Sequence, residues 1–169
     1  MTENIKGILL VGHGGLPADC PRELVARLMQ LERARQQTGS APSREEMEID
    51  RQIRLWPRTR ETDPYQAGLE RVKEHLAPRI GEKLLKLAYN EFCAPSVEQA
   101  AEELIEAGAG HITVVSTMFT PGGSHSEREI PEIVETLKRR HPEVRFTYAW
   151  PYDLDRVADL LLGQIESAH

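Results

Sequence analysis

Residues 7–15 read Gly-Ile-Leu-Leu-Val-Gly-His-Gly-Gly. Four consecutive apolar side chains, Ile8 to Val11, closed at once by glycine, are the pattern of a strand buried on both faces, the habit of parallel sheets covered by helices. Three further short runs read as strands: Leu84 to Phe92, Ile112 to Val115, and Val144 to Trp150, which Pro151 stops. Amphipathic stretches alternate with them. Val97, Ala100, Ala101, Leu104 and Ile105 share one helical face, with Gly108 placed to close the helix. Ile130, Ile133, Val134 and Leu137 repeat the spacing ahead of Lys138, Arg139 and Arg140, cations suited to a helix C-terminus. Leu154, Val157, Ala158, Leu161 and Ile165 give a last helix. Strand and helix in alternation imply parallel strands joined by right-handed crossovers. The fold class is therefore α/β, a single three-layer domain with a four-stranded parallel sheet flanked by helices.

Composition agrees. The 169 residues are 40% hydrophobic and 28% charged, ordinary values for a globular chain that forms one domain over residues 1–169. A net charge of −6 argues against nucleic acid as a partner, because neutralising phosphates takes clustered cations. Cys20 and Cys93 form no CxxC pair and read as reduced thiols. The apolar run at Ile8 is too short for a secretion signal or a bilayer span. The expectation is a cytoplasmic protein with no membrane contact.

One segment breaks the alternation. Residues 36–65 form a long insertion between the first and second strands, set between helical patterns at Pro21 to Arg35 and Gln66 to Leu76. Ile49, Ile53 and Trp56 stand at helical spacing, so part of it reads as one more helix. Arg51, Arg54, Arg58 and Arg60 crowd around Trp56. Connections this long serve as lids, partner surfaces or flexible tethers.

In open parallel sheets, ligands bind at the carboxyl ends of the strands. His13 follows the first strand, Glu91 ends the second, and His125 lies in the glycine loop after the third. With neighbouring strands only ~4.8 Å apart, these three groups can meet on one small ligand or ion. The plain alternatives are histidines that cap backbone groups and a solvated strand-end carboxylate. His75, His111, His141 and His169 suit solvated or capping roles. No GxGxxG, no P-loop lysine and no GxSxG elbow is present.

The order Leu-Leu-Val-Gly-His-Gly, then Glu91-Phe92-Cys93-Ala94-Pro95-Ser96, then Gly123-Ser124-His125 followed by Glu129-Ile130-Pro131, resembles the small class II chelatases of the sirohydrochlorin cobaltochelatase (CbiX) type. The resemblance covers residues 5 to 35 and about 80 to 167. It implies a chelatase-like fold and insertion of a divalent metal, Co²⁺ first, Fe²⁺ or Ni²⁺ also, into a polycarboxylated tetrapyrrole such as sirohydrochlorin. The metal is substrate, and no organic cofactor is implied. His13 and His125 would be the metal ligands, with His13 also the proton acceptor. Glu91 would be catalytic and would contact substrate together with the loop Thr120, Pro121, Gly122, Gly123 and Ser124. Short members work as homodimers. Three departures stand out: the family's usual Gly-His-Gly-Ser is Gly-His-Gly-Gly here, the loop before His125 carries an extra glycine, and short members lack the 36–65 segment.

The chemistry fits these residue types. Insertion releases two pyrrole protons, and imidazole, with an unperturbed pKa of ~6.5, is largely neutral at pH 7 and can accept them. Two histidines and one carboxylate leave coordination positions open for transfer. Arg54, Arg58 and Arg60 could bind the substrate's carboxylates from a lid formed by the insertion. A carrier that binds metal or tetrapyrrole without catalysis is the alternative on the same fold.

Overall fold

The computed structural model describes residues 5–168. In chain order the elements are β1 (Ile5–Gly12), α1 (Arg22–Thr38), α2 (Arg44–Arg54), α3 (Pro64–Leu76), β2 (Leu84–Tyr89), α4 (Val97–Glu106), β3 (Ala109–Ser116), α5 (Ile130–Arg140), β4 (Arg145–Tyr148) and α6 (Leu154–Glu166). A π-helical turn, His125–Glu129, leads into α5. All strand pairs are parallel, in the order β2-β1-β3-β4. This is the α/β class read from the sequence, a four-stranded parallel sheet flanked by helices with the long insertion between its first two strands.

The apolar run of β1 sits mid-sheet because its residues alternate between two cores. Leu9 and Val11 face the layer that contains Leu104 of α4 and Leu137 of α5. Leu10 faces the opposite layer with Leu69 of α3, Leu87, Tyr89 and Cys93. β2 stops at Tyr89, three residues before the end of its apolar run, because the backbone turns through Phe92 with φ 56°. Glu91 thus lies in a loop beyond the strand.

The insertion is a helical hairpin. Gly39, with φ 65°, ends α1, and Ser43 caps α2 by accepting from the Glu46 N–H. The two helices close on Leu28 and Ile53, with Ile49 and Trp56 packed against them. Arg27–Glu45 and Arg35–Glu46 ion pairs, both at 2.7 Å, span the hairpin.

The last helix forms where its periodicity predicts, but its apolar face is not buried within the chain. Leu154, Leu160, Leu161, Leu162 and Ile165 are exposed, and α6 has no buried residue.

Candidate metal centre

Beyond the last paired residues of β1 and β2, Gly12 and Tyr89, the two chains stay joined. Asn90 N–H donates to Gly12 O at 3.0 Å and Glu91 N–H to His13 O at 2.8 Å. That approach requires glycine at position 14. Its φ is 99°, and a Cβ there would stand 1.9 Å from the Glu91 carbonyl oxygen. Tyr65 of α3 holds the same turn, its hydroxyl accepting from His13 N–H at 2.8 Å. Gly15 is also hemmed in: a Cβ would meet Asp63 Oδ1 at 3.3 Å and Tyr65 Cβ at 3.4 Å, which gives a steric reason for glycine where the family pattern has serine.

His125 reaches the same spot from the far side, on the first turn of the helical segment after β3. The three predicted residues converge. His13 Nε2 is 3.8 Å from Glu91 Oε2, and His125 Nε2 is 3.8 Å from Glu91 Oε1. The imidazoles meet edge to face with centroids 4.8 Å apart. One donor atom from each of the three residues lies within 4.8 Å of the others.

The remaining ring nitrogens have partners of their own, and that of His13 fixes its tautomer. His13 Nδ1 is 2.8 Å from Gly14 O, an acceptor only, so Nδ1 carries the hydrogen and Nε2 presents its lone pair. His125 Nδ1 is 2.8 Å from Glu129 Oε2, one helical turn on, and that carboxylate also accepts from Asn90 Nδ2 at 2.9 Å. Asn90 Nδ2 also lies 2.8 Å from His125 Nδ1, so these two nitrogens and Glu129 Oε2 form one close cluster. Burial alone would raise the Glu129 pKa; the hydrogen bonds from Asn90 and His125 outweigh it and hold the carboxyl below its usual range. Histidines that ligate metal commonly give their other N–H to a carboxylate or a carbonyl in this way, which orients the ring. Glu129 belongs to the motif quoted from the sequence, and its four-residue spacing from His125 suits this contact, whereas Asn90 and Tyr65 carry no local signal of their part in the centre.

The centre is open. Side-chain exposure is 41% for His13, 34% for Glu91 and 22% for His125, so an ion held there has free positions facing outward. Two imidazoles and one carboxylate suit Co²⁺, Fe²⁺ or Ni²⁺. Thr120, Pro121, Gly122, Gly123 and Ser124 are exposed on the approach to His125.

The arginines depart from the lid expectation. Arg58 is only 5% exposed and pairs with Asp63 at 2.8 Å, while Arg54 pairs with Asp50 at 2.8 Å and donates to the carbonyls of Asn90 and Cys93 at 3.1 Å each. Their forks are spent on loop carbonyls that would otherwise lack donors, so neither is free for substrate carboxylates. Arg60 is exposed, and among the described residues it has no side-chain hydrogen bond or ion pair. The other histidines within the described residues that have partners are engaged away from the centre, His111 with Thr147 at 3.0 Å and His141 with Glu102 at 3.0 Å. His169 lies outside the described residues.

The CbiX family model matches residues 59–168, well over half of the chain. The chain belongs to the CbiX family. A sirohydrochlorin ferrochelatase of Priestia megaterium is 31% identical to this CbiX-family chain over 104 residues, 61% of this chain and 37% of the relative. A sirohydrochlorin cobaltochelatase of Sulfurisphaera tokodaii is 33% identical over 84 residues, 49% of this chain and 66% of the relative. The chain thus spans about a third of the ferrochelatases of Priestia megaterium and Bacillus subtilis, 37% and 32% of their lengths. Among solved structures, the fold of this CbiX-family chain is similar to that of the sirohydrochlorin chelatase SirB of Bacillus subtilis subspecies spizizenii in complex with cobalt. The TM-score is 0.54 at 18% identity, covering 87% of this chain and 43% of SirB. A CbiX protein of Marinobacter aquaeolei VT8, provisionally assigned to cobalamin (vitamin B12) biosynthesis, matches over 96% of this chain and 98% of its own, with a TM-score of 0.54 at 16% identity.

Proposed function

We propose that this chain inserts a divalent metal ion, Co²⁺ first and Fe²⁺ or Ni²⁺ as alternatives, into a polycarboxylated tetrapyrrole of the sirohydrochlorin type. The observation that carries the reading is the meeting of His13, Glu91 and His125 within 4.8 Å, supported by histidine partners that leave both Nε2 atoms facing Glu91. The names of the two ferrochelatases and the cobaltochelatase point the same way.

His13 and His125 hold the ion through Nε2, and three protein donors leave room for pyrrole nitrogens to replace them one by one. The reaction converts M²⁺ and the free macrocycle into the metallated macrocycle and two protons. Once its lone pair is released by the ion, His13 takes one proton at Nε2; Glu91, between the two rings, accepts or relays the other. The exposed residues Thr120 to Ser124 contact the macrocycle beside His125, and Arg60 remains the one arginine of the predicted set whose fork is open to a substrate carboxylate. The chain acts as one chelatase-like unit over residues 1–169 in the cytoplasm and pairs with a second copy; the exposed leucines of α6 support self-association.

Anaerobic incubation with sirohydrochlorin and each of Co²⁺, Fe²⁺ and Ni²⁺, followed by absorption spectra, tests the reading. The expected result is faster appearance of the metallated spectrum than without protein, abolished by His13→Ala and by His125→Ala. Metal binding with no acceleration would instead assign the chain to carriage.

A further inference from the structure

We propose that Arg58 is a positioning residue of the metal centre: one buried guanidinium, supplied by the inserted segment, ties the His13 loop to the Glu91 loop. This rests on the reading of His13, Glu91 and His125 as the metal-holding set. Arg58 Nη2 donates to Gly15 O at 3.4 Å, two residues after His13, and to Phe92 O, one residue after Glu91. Nη1 donates to the carbonyls of Ile53, Arg54 and Trp56 at 3.3, 3.0 and 2.9 Å, which roots the group in the end of α2. Nε donates to Asp63 Oδ2 at 2.8 Å. Asp63 is itself immobilised, buried to 2% exposure with Oδ1 accepting from Gln66 N–H at the start of α3.

The Glu91 loop needs such a hold. Phe92 has φ 56°, a conformation that costs free energy for a side chain of this size and persists only where the surroundings impose it. Arg58 takes the Phe92 carbonyl while Arg54 takes those of Asn90 and Cys93, so two forks from α2 and its turn grip three carbonyls on either side of Glu91. The planar fork matters. A lysine could neutralise Asp63 but not reach both loops from one rigid plane. The insertion therefore works from behind the centre, setting the 3.8 Å spacing of Glu91 to each imidazole rather than covering the front.

The test is Co²⁺ titration of the full chain, read by visible absorption of the bound ion, for wild type, Arg58→Lys and Val134→Ala, the last a core change in the opposite layer that lowers stability alone. Arg58→Lys should weaken Co²⁺ by about tenfold or more, the usual cost of losing a group that orients metal-holding residues. Val134→Ala should keep wild-type affinity. Amide exchange of the wild type gives a second measure that does not depend on the variant folding. The N–H groups of His13, Glu91 and Ala94, bonded to Tyr65 Oη, His13 O and Arg54 O, should open together as one unit. Wild-type Co²⁺ affinity in folded Arg58→Lys, or independent opening of these amides, would overturn the clamp. Wild-type protein whose Co²⁺ binding ignores His13→Ala and His125→Ala would overturn the metal-holding set instead, while coupled exchange would still stand for the clamp.

Discussion

Gly14 is the residue on which the centre closes. Substituting alanine adds a Cβ to a backbone at φ 99° and drives it to 1.9 Å from the Glu91 carbonyl, so the two loops must part. Gly14→Ala should fold with a stability loss of about 1–2 kcal/mol or more from the backbone conformation alone. Its metal binding should fall further than that loss accounts for; calorimetry alongside Co²⁺ titration separates the two. Glu129→Gln asks a different question. It retains the shape but removes the charge that accepts the His125 Nδ1–H. We expect Co²⁺ affinity to drop by about 10–100-fold with little change in melting temperature. Unchanged affinity would mean that the ring keeps its orientation without the carboxylate. His13, Glu91 and His125 were legible from the sequence because strand ends and glycines advertise them. Glu129 was half legible, from its four-residue spacing to His125, whereas Asn90 was not, because what matters in it is a hydrogen bond to an atom on another loop.

At the scale of elements, α2 and α6 show what periodicity conveys and what it omits. Ile49 and Ile53 announce a helix, and α2 forms around them. The arginines after them read as a solvated, substrate-facing row, yet Arg54 and Arg58 turn inward to the loop after β2. Their acceptors in that loop lie 34 to 39 positions downstream, beyond the reach of any local pattern. For α6 the spacing predicts the helix but not where its apolar side goes. Leu161 and Ile165, 50% and 61% exposed, stand one turn apart on it. If this face joins two copies, Leu161→Asp combined with Ile165→Asp should convert a sedimenting dimer to a monomer with an unchanged circular dichroism spectrum. A wild-type monomer at micromolar concentration would remove the proposal.

For the whole molecule, the sheet order decides the site. β1 lies between β2 and β3, so the ends of three neighbouring strands deliver His13, Glu91 and His125 to one place. The cores beside them also set an alkaline limit. Burial pushes the Cys93 thiol up to about 11 and the Tyr148 phenol up to about 12, and raises Tyr89 as well. Above the ordinary values of these groups the unfolded chain releases protons that the folded chain retains, so stability is fully present below pH ~8.5 and declines as pH climbs toward the folded values. Urea midpoints should therefore fall steadily from about pH 9 upward. A flat profile to pH ~11 would contradict the burial of these groups.

The three side chains proposed to hold the metal, His13, Glu91 and His125, stand far apart along the chain and meet only when β1, β2 and β3 are paired. A newly made or unfolded copy thus offers an ion no more than scattered single donors. Ion capture and completion of the fold become one event, and the ion in turn acts as a reporter of folding. At a free concentration of 100 times its dissociation constant it should add about 2.7 kcal/mol to the stability of the folded chain. Handing the ion to a macrocycle would withdraw that increment, leaving the emptied protein easier to melt than the loaded one.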